Sequence, residues 1–117
     1  MKIQKKYGMI CVENSLIPFK GYRAINICGI LFCRNLDDID EITVNHEKIH
    51  TAQCKEMLYL PFYIWYLIEY ITLLINFSGT KHSAYRQIGF EEEAYNNEKD
   101  LNYLSKRKHY SWWKYAF

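Results

Sequence analysis

The sequence predicts an α+β fold: a small N-terminal antiparallel β-sheet followed by about three main helices. Three observations carry that expectation. β-Branched, aromatic and cysteine-rich stretches crowd residues 7–35, an apolar run fills 58–77, and apolar positions recur at three- and four-residue steps across 83–106. With 117 residues, half of them apolar and 17% aromatic, the chain suits one domain, 1–117, able to bury a modest core without disulfides.

Within 7–35 the breakers Asn14-Ser15, Pro18 and Gly21 divide two short strands joined by a turn or loop. The second, residues 24–33, is the stronger, and Gly29 inside it marks a bulge or a close backbone approach. The carboxylates Asp37, Asp38, Asp40 and Glu41 favour the positive end of a helix, so Thr43 is read as its N-cap and 44–57 as its body. Pro61 fits the first turn of a new helix, which places a boundary near Leu60. After the breaker Ser78-Gly79-Thr80, the spacing of Phe90, Ala94, Asn97, Leu101 and Leu104 predicts an amphipathic helix over 83–106. The aromatic tail 110–117 is expected to fold back over the core.

Composition narrows the function classes. A net charge of +2 is too slight for a phosphate-reading surface, so no nucleic-acid partner is expected. The one basic cluster, Lys106, Arg107, Lys108 and His109, reads as a solvated helix end facing the negative pole of its dipole. Cys11, Cys28, Cys33 and Cys54 form no CxxC pair and no secretory pattern opens the chain. They read as free, buried thiols in a reducing cytoplasm.

The chemistry is concentrated in His46-Glu47-Lys48-Ile49-His50. Side chains four apart on a helix sit one turn above each other, so His46 and His50 can turn two imidazoles onto one ion at about 2 Å. Glu47 projects beside them, where its carboxylate can take a proton from a water the ion has acidified. Three protein ligands and one open position distinguish a catalytic zinc site. The third is sought among Glu91, Glu92 and Glu93, with His82 and His109 as outside options. Glu91 is preferred because Ala94, on the same face, lets the two helices approach closely; Glu93 is the second choice, or a support for a histidine ligand. Gln53 follows the face of His46 and His50 and can either hold a ligand or anchor a loop. Tyr95, Tyr103, His82, His109 and Arg107 are candidates for stabilising an oxyanion.

The apolar run 58–77 is long enough to cross a bilayer, but a crossing would put about 30 Å of hydrocarbon between the histidines and Glu91. Glu69 and the tyrosines of the run also oppose a span. A core helix is therefore expected, with a helix lying in the membrane interface as the alternative and the aromatic tail as its support.

His46-Glu47-x-x-His50 followed by Glu91-x-Glu93-Ala94 resembles the gluzincin-like zincins, whose third ligand is a glutamate on a second helix. The Glu-x-Glu-Ala element is similar to that of the ImmA/IrrE peptidases. The HtpX-like membrane peptidases are more distant and carry Asp where Tyr95 stands. The longer pattern, Pro18-Phe19-x-Gly21, Ala24-Ile25-Asn26, Asn45, Gln53 and Phe90-Glu91-x-Glu93-Ala94-Tyr95, resembles that of a small bacterial protein family. The zincin resemblance implies a minimal zincin-like domain with zinc on His46, His50 and Glu91. It also implies Glu47 as general base, peptides or proteins as substrate, and an edge strand, sought in residues 24–33, that binds them. The rival expectation is a noncatalytic interaction or membrane-peripheral protein with a structural metal.

Overall fold

The computed structural model describes residues 1–18, 22–76 and 85–116. The predicted breakers Gly21 and Ser78-Gly79-Thr80, the candidate His82 and the predicted helix start at Ser83 lie outside the described residues. The architecture is α+β, a four-stranded sheet at the N-terminus and three main helices after it. In chain order these are β1 (Lys2–Lys6), β2 (Met9–Glu13), β3 (Ala24–Ile27), β4 (Ile30–Cys33), α1 (Glu41–Glu56), α2 (Leu60–Asn76) and α3 (Gly89–Asn97), then a short α4 (Tyr103–Lys106) and a 3-10 turn at Ser111–Tyr115.

The sheet is mixed rather than antiparallel. Its order is β1-β2-β4-β3, with β2 and β4 parallel (Cys11 opposite Leu31) and the other two pairs antiparallel. The predicted strand 24–33 is two strands, folded on themselves at Cys28 and Gly29, whose φ values are 52° and 93°. Gly29 is thus a hairpin corner, not a bulge. Both central residues of such a two-residue turn need positive φ, and Cys-Gly lacks the Asn or Asp that usually announces it. β1 escaped prediction because its Lys-Ile-Gln-Lys-Lys sequence is that of a solvent-exposed edge, where lysines deter pairing with other chains. One face of the sheet buries Met9, Cys11, Leu31 and Cys33 against Leu36, Ile39 and Val44. All four cysteines are free; Cys28, expected inside, is exposed because it occupies that corner.

α1 starts ahead of the predicted 44 because Asp40, not Thr43, is its N-cap: the Asp40 carboxylate accepts the Thr43 amide at 2.7 Å. The helix stops at two successive left-handed residues, Leu58 (φ 59°) and Tyr59 (φ 66°). Each conformation costs about 1–2 kcal/mol in a non-glycine residue, and the result is a turn of 112° before α2 begins at Leu60 as predicted. No single helix among the described residues is long and apolar enough to cross a membrane.

α2 is only half a core helix. Phe62 and Leu73 join Cys54, Ile88, Phe90 and Trp112 in the second core cluster, while Leu60, Ile64, Leu67, Ile68, Ile71 and Ile75 stay exposed. Glu69, fully buried, accepts the amide of Gly89 at 3.2 Å and the Trp65 indole N–H at 3.2 Å. A carboxylate at that place caps the positive end of α3.

The helix predicted over 83–106 breaks after Asn97. The Asn45 side chain donates to the carbonyls of Glu98 (2.7 Å) and Asp100 (3.1 Å), fixing a turn in which Leu101 is exposed rather than packed. The tail folds back as expected: Trp112 is buried with its ring 4.6 Å from that of Phe90. Gly89 allows this closeness, since a Cβ there would lie 3.0 Å from the Ala116 backbone.

Candidate metal centre

α1 carries the motif on its buried face together with Val44, Ile49, Gln53 and Cys54, so packing turns both histidines toward α3. Their rings stand 4.8 Å apart at 78°, and the two Nε2 atoms approach to 3.1 Å. From α3, Glu91 Oε1 comes within 3.2 Å of His46 Nε2 and 3.0 Å of His50 Nε2. All three side chains are buried. Three ligands of a tetrahedron with bonds of 2.0–2.1 Å stand about 3.3 Å from one another, close to this triangle.

The hydrogen bonds on the far side of each ring settle what the triangle is made of. His46 Nδ1 meets Glu98 Oε2 at 2.7 Å, and a carboxylate only accepts, so Nδ1 carries the proton. His50 Nδ1 meets Gln53 Oε1 at 2.8 Å, and the Gln53 amide nitrogen is committed to Phe90 O (3.0 Å) and Glu93 Oε1 (2.9 Å). The Gln53 oxygen therefore accepts, and His50 Nδ1 is also a donor. In the neutral rings both Nε2 atoms then present lone pairs, and they face each other and an anionic oxygen. Three acceptors pointed at one buried spot repel unless a cation sits among them.

Comparison of the chain with protein-family models, curated proteins and solved structures finds no match.

Electrostatics agree with the geometry. Burial acts against a charge on His50, but the Glu91 carboxylate outweighs it and lifts the imidazole to about 10. Burial likewise opposes the charge of Glu91, yet the imidazoles hold its carboxyl well below the usual carboxylate range. Without metal, one proton on His50 does a cation's work. Tyr66 donates to Glu91 Oε2 at 2.8 Å, which leaves Oε1 to the histidines; burial and Glu91 push the phenols of Tyr66 and Tyr85 far up, so both stay protonated.

Glu47 lies half-buried, and its carboxylate has no hydrogen-bond partner among the described residues. Burial raises its pKa, opposed only in part by the histidines. It opens on a cavity of about 510 Å³ shared with His50, Glu91 and Tyr85, between Ile17, Pro18, Ala24, Ile25 and Asn26 on one side and Phe62, Tyr63 and Tyr66 on the other. β3 is the edge strand along this cavity; β4, the other half of the strand sought in residues 24–33, lies inside the sheet. Asn26 ties β3 to the motif by donating to Glu47 O and Thr51 Oγ1, each at 2.8 Å.

The structure thus brings His46, His50 and Glu91 together and puts Glu47 beside them. Glu92 is half-exposed and turned away, and Glu93 supports His50 through Gln53. Of the oxyanion candidates, Tyr103 and Arg107 are occupied with Glu93 (2.6 Å and 2.5 Å), and His109 is 87% exposed against Glu56. Tyr95 packs its ring 4.5 Å from His46. Three residues at the site were missed. Glu98 had a signal, lying seven residues after Glu91 and so two turns along the same helical face. Tyr66 and Tyr85 gave only a weak one, a phenol in an apolar setting that needs a partner.

Proposed function

We propose that this chain is a zinc-dependent hydrolase of the zincin type acting on peptide bonds. The observation that supports the reading is the convergence of two imidazole lone pairs and one carboxylate oxygen on a single buried point beside an uncommitted carboxylate. His46, His50 and Glu91 would hold the ion. When bound, zinc supplies a Lewis acid that acidifies water and polarises a carbonyl. Glu47 accepts the proton of the attacking water and returns it to the departing amide nitrogen, a role suited to a carboxylate whose burial keeps its pKa high. The hydroxyls of Tyr66 and Tyr85 hold Glu91 in its orientation and line the space where a carbonyl oxygen would gain charge.

The donor count favours catalysis over a structural ion. Among the described residues the metal-ligating set has three members, whereas structural zinc sites close with four, and His50 and Glu91 both border the cavity. An extended peptide laid along β3 would pair with its outer backbone edge, which meets no other strand among the described residues, and place its apolar side chains between Ile25 and Phe62.

Metal analysis of the purified chain tests the first half: about one zinc per chain is expected, lost in His46→Ala. A quenched-fluorescence peptide library tests the second. Glu47→Gln should keep its zinc and lose at least about a hundredfold in cleavage rate. Unchanged cleavage removes Glu47 from the mechanism, and a chain that takes up no divalent ion removes the metal.

A further inference from the structure

Leu60, Ile64, Leu67, Ile68, Ile71 and Ile75 lie at three- and four-residue steps along α2 and are between 46% and 77% exposed. They form one aliphatic stripe roughly 24 Å long at the helical rise. Glu69, the helix's one charged residue, is buried on the opposite face. A stripe of this size open to water is far beyond the scattered apolar residues of an ordinary surface.

What lies alongside says what covers it. Trp65 of α2 packs its ring 5.7 Å from Trp113, which is itself 61% exposed in the 3-10 turn at Ser111–Tyr115. That turn also carries Lys114, and Lys108 and Tyr110 precede it, all exposed. From residue 102 to residue 117 the chain has no Asp or Glu. Exposed tryptophan and tyrosine among lysines, next to an aliphatic helix face, match the boundary between hydrocarbon and anionic headgroups. A second copy of the chain would meet these cations with the same acid-free segment and leave them uncompensated.

We propose that the outer face of α2 and the turn bearing Trp113 and Lys114 dock on an anionic lipid bilayer, with α2 lying in the plane of the interface. Ile68 and Ile71 sit in the acyl boundary, Trp113 at its edge, and Lys108 and Lys114 against the headgroups. This reading does not depend on hydrolysis or on metal.

The test is co-sedimentation of the full chain with vesicles of phosphatidylcholine containing phosphatidylglycerol, against phosphatidylcholine alone, with light scattering to give the mass in solution. Binding is expected to be stronger on the anionic vesicles. Ile68→Glu with Ile71→Glu, on an exposed face that circular dichroism should show still folded, is expected to lower the partition coefficient at least about tenfold. Lys108→Gln and Lys114→Gln should each lower binding to the anionic vesicles about fivefold and leave the neutral ones unchanged. No vesicle binding by the natural chain overturns the proposal. So does equal binding by the Ile68→Glu, Ile71→Glu variant, or a dimer in solution that this variant dissociates while vesicles go unbound.

Discussion

Glu91 and Glu93 are two residues apart on one buried helix, and their surroundings are opposite in kind. Glu93 is met by donors: Arg107 at 2.5 Å, the Tyr103 hydroxyl at 2.6 Å and the Gln53 amide at 2.9 Å. Arg107 in turn reaches Glu56 at 2.8 Å, and Glu56 also takes the Tyr110 amide at 3.0 Å. This region carries its own cation, shared by two carboxylates whose remaining acceptor sites are closed off by neutral donors. Glu91 takes the Tyr66 hydroxyl on Oε2, but its Oε1 meets two imidazole edges, and the counter-charge the chain offers there is an exchangeable proton on His50 rather than a fixed cation. The same residue type serves as a structural strut on one side of α3 and as a candidate ligand on the other. The difference lies in whether the chain supplies a permanent counter-charge or only a proton that an ion can replace.

The largest effect should come from opening the closed region. Arg107→Met would leave Glu56 and Glu93 buried without their cation, and is expected to destabilise the fold by about 3–5 kcal/mol in urea unfolding. A loss below about 1 kcal/mol would mean that the network is not what joins the tail to α1 and α3. Next comes the contrast itself. Glu91→Gln should weaken zinc binding at least about a hundredfold, and Glu93→Gln, acting only through Gln53 and His50, no more than about tenfold. Competition with a chromogenic chelator measures both, and equal losses would erase the distinction. The smallest is a pH dependence. Zinc must displace the proton that His50 holds up to about 10. Affinity should therefore rise with pH, about tenfold per unit through neutrality, and a flat profile would place the proton elsewhere. The stability of the closed region runs in the same direction for a different reason. Burial raises the pKa of Glu56, but Arg107 pulls it below its ordinary value, so its contribution is present above the ordinary carboxylate pKa and lost as pH falls through the lowered one.

The helical half of the molecule was legible in the sequence because its signals are local. His46 and His50 share a face by spacing alone, Pro61 marks the start of α2, and Ala94 beside Glu91 indicates where two helices approach. The sheet was less legible. β1 is a lysine-rich edge and the β3–β4 corner uses Cys28, so neither carries the residues that usually announce a strand or a hairpin. The parallel pairing of β2 with β4 is a long-range choice that no local pattern encodes. The break after Asn97 was hidden for a similar reason, since the group that enforces it, the Asn45 amide, lies on another helix. Arg107 read as part of a solvated basic cluster and proved to be buried between two carboxylates, a pairing visible only once the tail is in place.

One amide side chain sets the spacing between strand and motif. Because Asn26 is bonded at once to the carbonyl of Glu47 and to Thr51, the outermost strand is pinned to the helix that bears Glu47. Any extended chain zipped onto that strand is thereby indexed against the carboxylate, as on a ruler whose zero mark is fixed. On the proposed function, the linkage that would come to rest beside the candidate metal centre is then decided by backbone register, residue by residue, before any side chain is read.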